Sequence, residues 1–243
     1  IARCSLGKPE ELHNEELLYR LFGVQAELLI DHAWGWEPCT IAAIKDYRPK
    51  SSSLSSGQVL PEPYPHEKAR LIVREMADQL SLELVEKGLV CSQFVLDIGY
   101  DAENLSAPVR QKTYHGLTKT DRYGRAVPAA AHGSANLPVP ASSAHILMQT
   151  AAEVFDRIAD SRLSVRRVTV TAAGLLRQEE AQLVGGDQLD FFGNYAAHQQ
   201  QKAELERELS GQQAIVALRQ KYGKNAVLRG MDLQEGATTK NRN

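Results

Sequence analysis

Three acidic side chains that are close together in the sequence are the first candidates for metal chemistry. Asp97, Asp101 and Glu103 lie in one short stretch. Carboxylate oxygens are the ligands that Mg²⁺ prefers in proteins. The spacing does not match a metal-binding motif, so we interpret these residues as solvated acids at the end of a strand. We interpret three isolated histidines as structural or surface groups: His115, His132 and His145.

A short segment over residues 185–193 could bind a partner directly. It begins with Gly185 and Gly186 and ends at Gly193, which Asn194 follows. These residues break any helix or strand. Between them lie three large apolar side chains, Leu189, Phe191 and Phe192. Such side chains either insert into a groove of a partner or fold back onto the edge of the core, and their spacing leaves both interpretations open.

Length and composition indicate a globular protein of one or two domains. The chain has 243 residues, of which 43% are hydrophobic and 24% charged. No apolar run approaches the roughly 20 residues that span a bilayer, and no signal peptide is recognisable. The net charge of −2 does not indicate nucleic-acid binding, but local basic clusters can bind phosphate in an acidic chain. Three scattered cysteines are expected to be reduced thiols: Cys4, Cys39 and Cys91.

Short helices are predicted before the main domain. Asn14 suits the N-cap of a helix that Gly23 ends, and a second helix is predicted over residues 24–33. The apolar periodicity lapses over residues 37–50, where a linker is expected. Because the chain begins at Ile1 rather than Met, within a helical pattern, we interpret it as a fragment of a longer protein.

The pattern over residues 50–172 predicts an α+β domain. Alternating apolar residues indicate strands, and apolar residues at helical spacing indicate helices. In order, we predict a strand over 50–60, a helix over 65–87, strands over 94–100 and 133–139, a helix capped by Ser142 or Ser143, and a strand over 168–172. This β-α-β-β-α-β order predicts a four-stranded sheet with two helices on one face.

The other face of the sheet is then expected to be open, and five polar side chains are expected on it: Arg167, Thr169, Thr171, Gln93 and Asp97. The polar segment over residues 101–131 is expected to be a long connection. A charged helix is predicted over residues 199–222. The polar stretch over residues 230–243 is expected to be disordered.

Several segments, taken together, carry a family resemblance. They are Leu21-Phe22-Gly23-Val24 with Ala33-Trp34-Gly35, Pro49-Lys50-Ser51-Ser52-Ser53, Tyr123-Gly124-Arg125-Ala126-Val127-Pro128 with Ala131-His132-Gly133, Arg166-Arg167-Val168, Tyr222-Gly223-Lys224-Asn225-Ala226-Val227-Leu228-Arg229-Gly230 and Glu235-Gly236-Ala237-Thr238-Thr239-Lys240. In this order they resemble the C-terminal half of Y-family translesion DNA polymerases, in the UmuC/ImpB/MucB/SamB branch and most like its Gram-positive members.

The resemblance implies a division of the chain into parts. Residues 1–46 would be a partial thumb, 47–178 the little finger, 185–193 a clamp-binding peptide and 198–243 a charged helical tail. In this family the palm carries the carboxylates that hold two Mg²⁺ ions, and the palm would precede Ile1. The parent protein is then a DNA-directed DNA polymerase, whereas this fragment is expected to be inactive and to need no cofactor.

The resemblance also implies primer–template DNA as a partner. The family's little finger holds DNA mainly through phosphates, which positions a duplex without reading its sequence. A role in DNA repair and the SOS response, a bacterial cytoplasmic and nucleoid-associated location, and a monomeric state are expected. The residues expected to contact DNA are Lys50, Ser51, Ser52, Ser53, Arg110, Lys112, Lys119, Arg122, Arg125, Arg166 and Arg167.

The sliding clamp is the second partner that the resemblance implies. Gln188-Leu189-Asp190-Phe191-Phe192 is similar to the Gln-Leu-x-Leu-Phe peptide with which bacterial replication and repair proteins bind the clamp. It departs from that peptide at Phe191, where Leu is commoner.

Two alternatives remain from other classes of protein. One is a non-catalytic interaction module that tethers a partner to the clamp. The other is a ferredoxin-like RNA-binding domain, which is less favoured because neither middle strand has the paired aromatic residues that stack bases.

Overall fold

The computed structural model describes residues 15–37, 39–47, 53–106, 114–121, 123–184 and 195–242. The chain divides into two compact units, Ile1–Lys50 and Ser51–Asn243. In the described ranges, no helix combines the length and the apolar character that crossing a membrane requires.

The described part of the first unit contains three short helices, α1 (Glu15–Phe22), α2 (Gln25–Ala33) and α3 (Ile41–Asp46). A linker was expected over residues 37–50, and this was wrong for residues 41–46, which form helix α3. Its start is fixed by Thr40, whose hydroxyl accepts a hydrogen bond from the Ala43 N–H at 3.1 Å. Large apolar side chains of this unit remain exposed, Trp34 by 74% and Ile41 by 72%. Within residues 15–37 and 39–47 only Ala26 is buried, so this described part of the unit does not enclose a core of its own.

The second unit contains the sheet and the remaining helices. In chain order its elements are β1 (Ser53–Tyr64), α4 (His66–Glu86), β2 (Leu89–Tyr100), α5 (Glu103–Ser106), β3 (Thr118–Thr120), β4 (Ala126–Pro128), β5 (Ala131–Ala141), α6 (Ala144–Ile158), β6 (Val165–Arg177), α7 (Gln178–Val184), α8 (Tyr195–Tyr222) and α9 (Thr239–Arg242). Two short 3₁₀ turns, Lys224–Ala226 and Gly230–Leu233, lie between α8 and α9.

The four long strands form one antiparallel sheet in the order β1-β6-β2-β5. Helices α4 and α6 pack against each other and against the sheet. The predicted α+β fold is confirmed. Apolar residues at alternate positions in the strands face the helices, so the core lies between the sheet and this pair of helices.

The two core helices form where apolar spacing and end signals agree. Helix α4 buries Ile72, Met76 and Leu80 on one stripe, and its chain reverses at Gly88, whose φ is 64°. Helix α6 begins after Ser143, whose hydroxyl accepts a hydrogen bond from the Ile146 N–H at 3.2 Å. The predictions of both helices from the sequence are therefore correct.

The segment over residues 101–131 contains more structure than the sequence indicated. Besides α5, it includes a small antiparallel ribbon in which β3 pairs with β4. The Asp121 N–H donates to the Arg125 carbonyl at 2.9 Å and closes this ribbon. Strands of three residues are too short to produce a recognisable alternation, so the expectation of a simple connection was wrong.

The C-terminal region is an ordered outer layer over α4 and α6. Gln212, on α8, is buried and donates to the Ser81 hydroxyl at 3.2 Å and to the Ser142 carbonyl at 3.1 Å. Glu208 accepts hydrogen bonds from the Ser143 hydroxyl and the His145 N–H at the start of α6. The expectation of disorder over residues 230–243 was wrong for the part that the structure describes.

Two buried carboxylates on α4 explain why the end of the chain is ordered. Asp78 is 2% exposed, and Arg229 Nε lies 2.6 Å from its Oδ1. Glu75 is also buried and accepts the Thr238 N–H at 3.0 Å and the Thr239 N–H at 3.4 Å. Burial raises the pKa of both carboxyl groups, and these partners oppose the rise. A carboxylate buried without a partner would be strongly unfavourable, so the tail stabilises α4.

Replacing Gly133 with Ala is expected to destabilise the domain, because β5 and α6 pack closely there. A Cβ atom at this position would lie 2.6 Å from Ile158 Cγ2 and 3.4 Å from Val154 Cγ1. The helix or the strand must then shift, and we expect the free energy of unfolding to fall by about 1–3 kcal/mol, as for other overpacked sites.

Gly211→Ala is the matched control. Gly211 lies in α8, and no described atom is within 4 Å of the added Cβ. Alanine is the better helix former, so the free energy of unfolding should rise by about 0.5–1 kcal/mol. Urea denaturation measures both changes. Equal stability of the Gly133→Ala variant and the unaltered chain would contradict the close packing of α6 on β5.

Arg229→Ala is expected to leave the Asp78 carboxylate buried without its ion-pair partner. The free energy of unfolding should fall by about 3 kcal/mol at neutral pH, the lower end of the range for a broken buried ion pair. Loss of Arg229 raises the folded-state pKa of Asp78 further above its unfolded value. The deficit should therefore shrink as the pH falls through that folded-state pKa.

The double variant Arg229→Ala/Asp78→Asn is the control, because it removes the buried charge together with its partner. Its stability should depend less on pH than that of Arg229→Ala. A deficit of the single variant that does not change between neutral and acidic pH, measured by thermal unfolding, would contradict this role of Asp78.

Candidate nucleic-acid interface

The face of the sheet opposite the helices is open to solvent. Its register places side chains in rows that cross all four strands. One row joins Ser55, Thr171, Val95 and Ser134, and the next joins Gly57, Thr169, Asp97 and His132. All of these residues are exposed or half-buried. The expectation that Thr169, Thr171 and Asp97 share an open face with Arg167 and Gln93 is therefore met in the structure.

Hydrogen bonds across the strands order this open face. The Thr171 hydroxyl donates to the Ser55 hydroxyl at 2.9 Å. Gln93 donates to the Asn136 side-chain oxygen at 3.0 Å. His132 Nδ1 lies 2.7 Å from Asp97 Oδ1. Pairs of this kind fix polar side chains in place before any ligand binds.

Arg167 is an exposed cation on the open face. It lies on β6, opposite Val59 of β1 and Gly99 of β2. A Cβ atom on Gly99 would lie 3.1 Å from Arg167 Cβ, so the glycine leaves the space that the arginine side chain occupies. A guanidinium held in this way can donate two parallel hydrogen bonds to a phosphate.

Arg166 has different surroundings from Arg167. Tyr100 pairs with Val165 and Gly99 pairs with Arg167, so Arg166 is the extra residue of a β-bulge. Its Nε lies 3.6 Å from Asp101 Oδ2. The two neighbouring arginines, both expected to contact DNA, therefore have different surroundings: Arg166 faces Asp101, whereas Arg167 is exposed on the open face.

The three candidate metal-binding acids do not converge on one point. Asp97 pairs with His132 across the sheet. Asp101 accepts the Glu103 N–H at 2.8 Å and faces Arg166. Among the residues that the structure describes, no three His, Cys, Asp or Glu side chains form a cluster that could hold a metal ion.

Lys119 and Arg125 lie on the β3–β4 ribbon. Asp121 accepts hydrogen bonds from the N–H groups of Tyr123 at 2.8 Å and Arg125 at 2.9 Å, and from Arg125 Nε at 2.8 Å. These bonds lower the pKa of Asp121. The Arg125 guanidinium also lies over the Tyr123 ring, 5.3 Å from its centroid. Arg125 is thus held in place by the turn, while its side chain remains 60% exposed.

Most of the other candidate residues lie outside the described residues. Ser53 begins β1 and is exposed, opposite Ala173. The remaining candidates for DNA contact outside the described part are Lys50, Ser51, Ser52, Arg110, Lys112 and Arg122. The whole clamp-like peptide also lies outside it: Gln188, Leu189, Asp190, Phe191 and Phe192.

Sequence reasoning missed the contribution of β5 to the open face. His132, Ser134 and Asn136 alternate with Gly133 and Ala135 along this strand, and the polar members are exposed. The alternation is visible in the sequence and could have identified them. The rows described above contain no Phe, Tyr or Trp, and their one imidazole, His132, is engaged with Asp97. They therefore lack the paired aromatic side chains on which RNA-binding domains of this kind stack bases, which argues against the RNA-binding alternative.

The open face can bind a phosphate backbone but has little means of reading bases. It combines an exposed guanidinium with small hydroxyl and amide side chains that allow a close approach. Contacts of this kind position a duplex and carry no direct sequence information.

Comparison with known proteins identifies the family. A family model described as the impB/mucB/samB family C-terminal domain matches residues 51–185, which is more than half of the chain. No curated protein matches. The matched region includes the whole four-stranded sheet and both core helices. The chain therefore belongs to the impB/mucB/samB family and contains the C-terminal domain of a UmuC-type Y-family DNA polymerase.

Proposed function

We propose that the second unit is the little finger of an error-prone translesion polymerase and holds primer–template DNA on the open face of its sheet. The observation that carries the proposal is Arg167, an exposed arginine on a face that carries hydroxyl and amide side chains together with Val59 and Val95. In the polymerase, this domain would hold damaged DNA during repair and the SOS response.

Phosphate contacts suit a polymerase that must accept altered templates. A lesion changes the base, whereas the phosphates around it keep their charge and approximate spacing. Arg167 would bind a phosphate through its guanidinium, and the hydroxyls of Ser55, Thr169 and Thr171 lie in the adjoining rows. Affinity would then depend on charge and salt rather than on sequence.

Two further groups of residues would extend this surface. Lys50, Ser51 and Ser52 precede Ser53, the first residue of β1, in the sequence; they remain predictions and would supply one ammonium group and further hydroxyls. On the β3–β4 ribbon, Lys119 and Arg125 are exposed. Arg110, Lys112 and Arg122 belong to the same polar segment in the sequence and remain predictions.

The polymerase chemistry would reside in another part of the protein. In this family the palm carboxylates hold Mg²⁺, which supplies the electrophilic activation for nucleotidyl transfer. In this chain Asp97 and Asp101 are engaged with His132 and Arg166. We therefore expect a primer-extension assay of this chain alone to show no nucleotide incorporation, and incorporation would contradict that part of the proposal.

Arg167→Ala is expected to weaken binding of a labelled primer–template duplex about equally for different sequences. Each lost phosphate contact lowers the slope of log K against log salt concentration by about one. Arg166→Ala should change the slope less, because Arg166 is paired with Asp101. Fluorescence anisotropy in a salt titration measures both quantities.

Arg207→Ala is the matched control for the lost charge. Arg207 is exposed on α8, which packs against α4, on the side of the domain away from the open face. Its removal should leave the slope unchanged. An unchanged slope for Arg167→Ala, or an equal loss of slope for Arg207→Ala, would exclude the open face as the DNA-binding surface.

We also propose that residues 188–192 bind the bacterial sliding clamp. Gln188 would hydrogen-bond to the clamp, Leu189 and Phe192 would fill an apolar pocket, and Phe191 would share that pocket or pack at its rim. Asp190 stands at the x position of the Gln-Leu-x-Leu-Phe pattern. Buried aromatic and aliphatic anchors usually carry most of the affinity of a short peptide. This proposal is supported by the similarity of the segment to known clamp-binding peptides.

Replacing Leu189 and Phe192 together by Ala is expected to weaken clamp binding by about 2–4 kcal/mol, or about 30- to 1000-fold. The melting temperature should stay nearly unchanged if the peptide projects from the domain. Calorimetry with purified clamp measures the affinity, with Asp190→Ala as the control. Full affinity with a much lower melting temperature would show that these side chains belong to the core instead.

A further inference from the structure

The last residues of the chain connect α4 to the edge of the sheet that carries the proposed DNA surface. We call residues 229–242 the latch. Its contacts with α4 lie along one face of that helix. Lys68 contacts Glu235 at 2.7 Å, and Gln79 donates to the Thr239 hydroxyl at 3.3 Å.

The Asp78–Arg229 ion pair and the Glu75 contacts lie on the same face of α4. Positions 75 and 79 follow position 68 by about two and three turns of the helix, and position 78 lies beside 79, one turn after 75, so the four positions share one side of α4. They are separate from the apolar stripe that faces the core. Helix α4 thus has one face for the core and another for the latch.

The latch also contacts β1. Gln58 Nε2 donates to the Thr238 hydroxyl at 2.9 Å. Arg242 donates to Gln58 Oε1 and to the Ser56 hydroxyl, each at 3.1 Å. Because side chains alternate along a strand, Ser56 and Gln58 point to the helix side, whereas Ser55 and Gly57 belong to the open face.

Strand β1 needs such support more than the central strands β6 and β2 do, because it is an edge strand, as β5 is at the opposite edge. It lies at an edge of the sheet, hydrogen-bonded to β6 on one side. Its register with β6 becomes irregular between Val59 and Tyr64. Edge strands are held by fewer backbone hydrogen bonds than central strands and open more readily.

We propose that the latch holds β1 in the position in which its open face meets DNA, so that Thr238 and Arg242 act as positioning residues without touching DNA. This inference rests on the proposed DNA-binding function. It assigns a role to the charged tail, which lies on the opposite side of the sheet from the DNA surface. Loss of the latch contacts should therefore weaken DNA binding indirectly, through the position of β1, although no latch residue contacts DNA.

The salt dependence separates this role from direct binding. A phosphate contact made by Arg242 itself would contribute about one unit to the slope of log K against log salt. A positioning role changes affinity but leaves the number of phosphate contacts, and hence the slope, unchanged. Amide exchange of β1 in the free protein gives a readout that does not involve DNA.

Gln58→Met is the main test variant, because it removes the bonds to Thr238 and Arg242 without changing the charge or much of the volume. The second variant, Thr238→Val/Arg242→Gln, breaks the Gln58 bonds from the latch side and also removes the Arg242–Ser56 bond and the bond from the Thr238 hydroxyl to Glu75. The control is Lys240→Gln, which removes one exposed positive charge from the same helix, α9. All are made in the full chain, and circular dichroism establishes that each variant is folded.

We expect faster amide exchange over residues 53–60 in both latch variants than in the unaltered chain. We also expect DNA affinity to fall roughly 2- to 30-fold with an unchanged salt slope, the range for couplings transmitted through packed elements. Lys240→Gln should change neither quantity. Binding is measured with a labelled primer–template duplex.

Two results would overturn the proposal. One is unaltered DNA affinity in both latch variants. The other is a slope that falls by about one unit in Thr238→Val/Arg242→Gln while β1 exchange stays slow, because Arg242 would then bind DNA itself. Failure of the unaltered chain to bind the duplex would instead contradict the proposed function.

Discussion

The register of β6 between its two neighbours is the constraint on which the rest of the domain depends. Thr169 lies opposite Gly57 on one side and Asp97 on the other. Side chains alternate along a strand, so a slip of one residue would exchange the two faces of the sheet. Val168, Val170 and Ala172 are fully buried under the helices. Their burial therefore also decides that Thr169 and Arg167 face away from the core, where a ligand can reach them.

The outer layer is held differently from the core. Helix α8 and the latch dock mainly through polar groups, and α4 contributes the buried Glu75 and Asp78 carboxylates. Removing a carboxylate from water is unfavourable, so each depends on partners that come from more than 150 positions later in the chain, Thr238 and Arg229. Such an interface has a defined geometry, and the described residues that α8 and the latch bury in it are polar: Gln212, Asp232 and Thr239. It can therefore open at a lower free energy than the core.

The sequence predicted the helices and strands that have a long apolar pattern. It did not predict the elements whose formation depends on polar contacts. Helices α4 and α6 and the four long strands were anticipated from the spacing of residues such as Ile72 and Phe94. Helix α3 covers only Ile41–Asp46, which is too short for an apolar pattern, and its start is fixed by the N-cap hydrogen bond of Thr40. The latch depends on pairs such as Gln58 with Thr238, which are remote in sequence. At the candidate site, Arg167 was placed on the open face correctly. The Asp101 contact of Arg166 was not foreseen, because it follows from a bulge that no periodicity reveals.

The proposed interface depends on small residues as much as on its donors. Gly99 lies beside Arg167, and Gly57 lies beside Thr169, where an added Cβ would be 3.3 Å from the Thr169 hydroxyl oxygen. Larger residues there would crowd β6 and shift the side chains that would contact phosphate. The same small residues leave the face shallow, so a backbone can approach the strands closely. One face of the sheet carries small side chains and the other is packed against the helices. Because the two faces share only the backbone, the open face can bind a duplex without any change in the protein core.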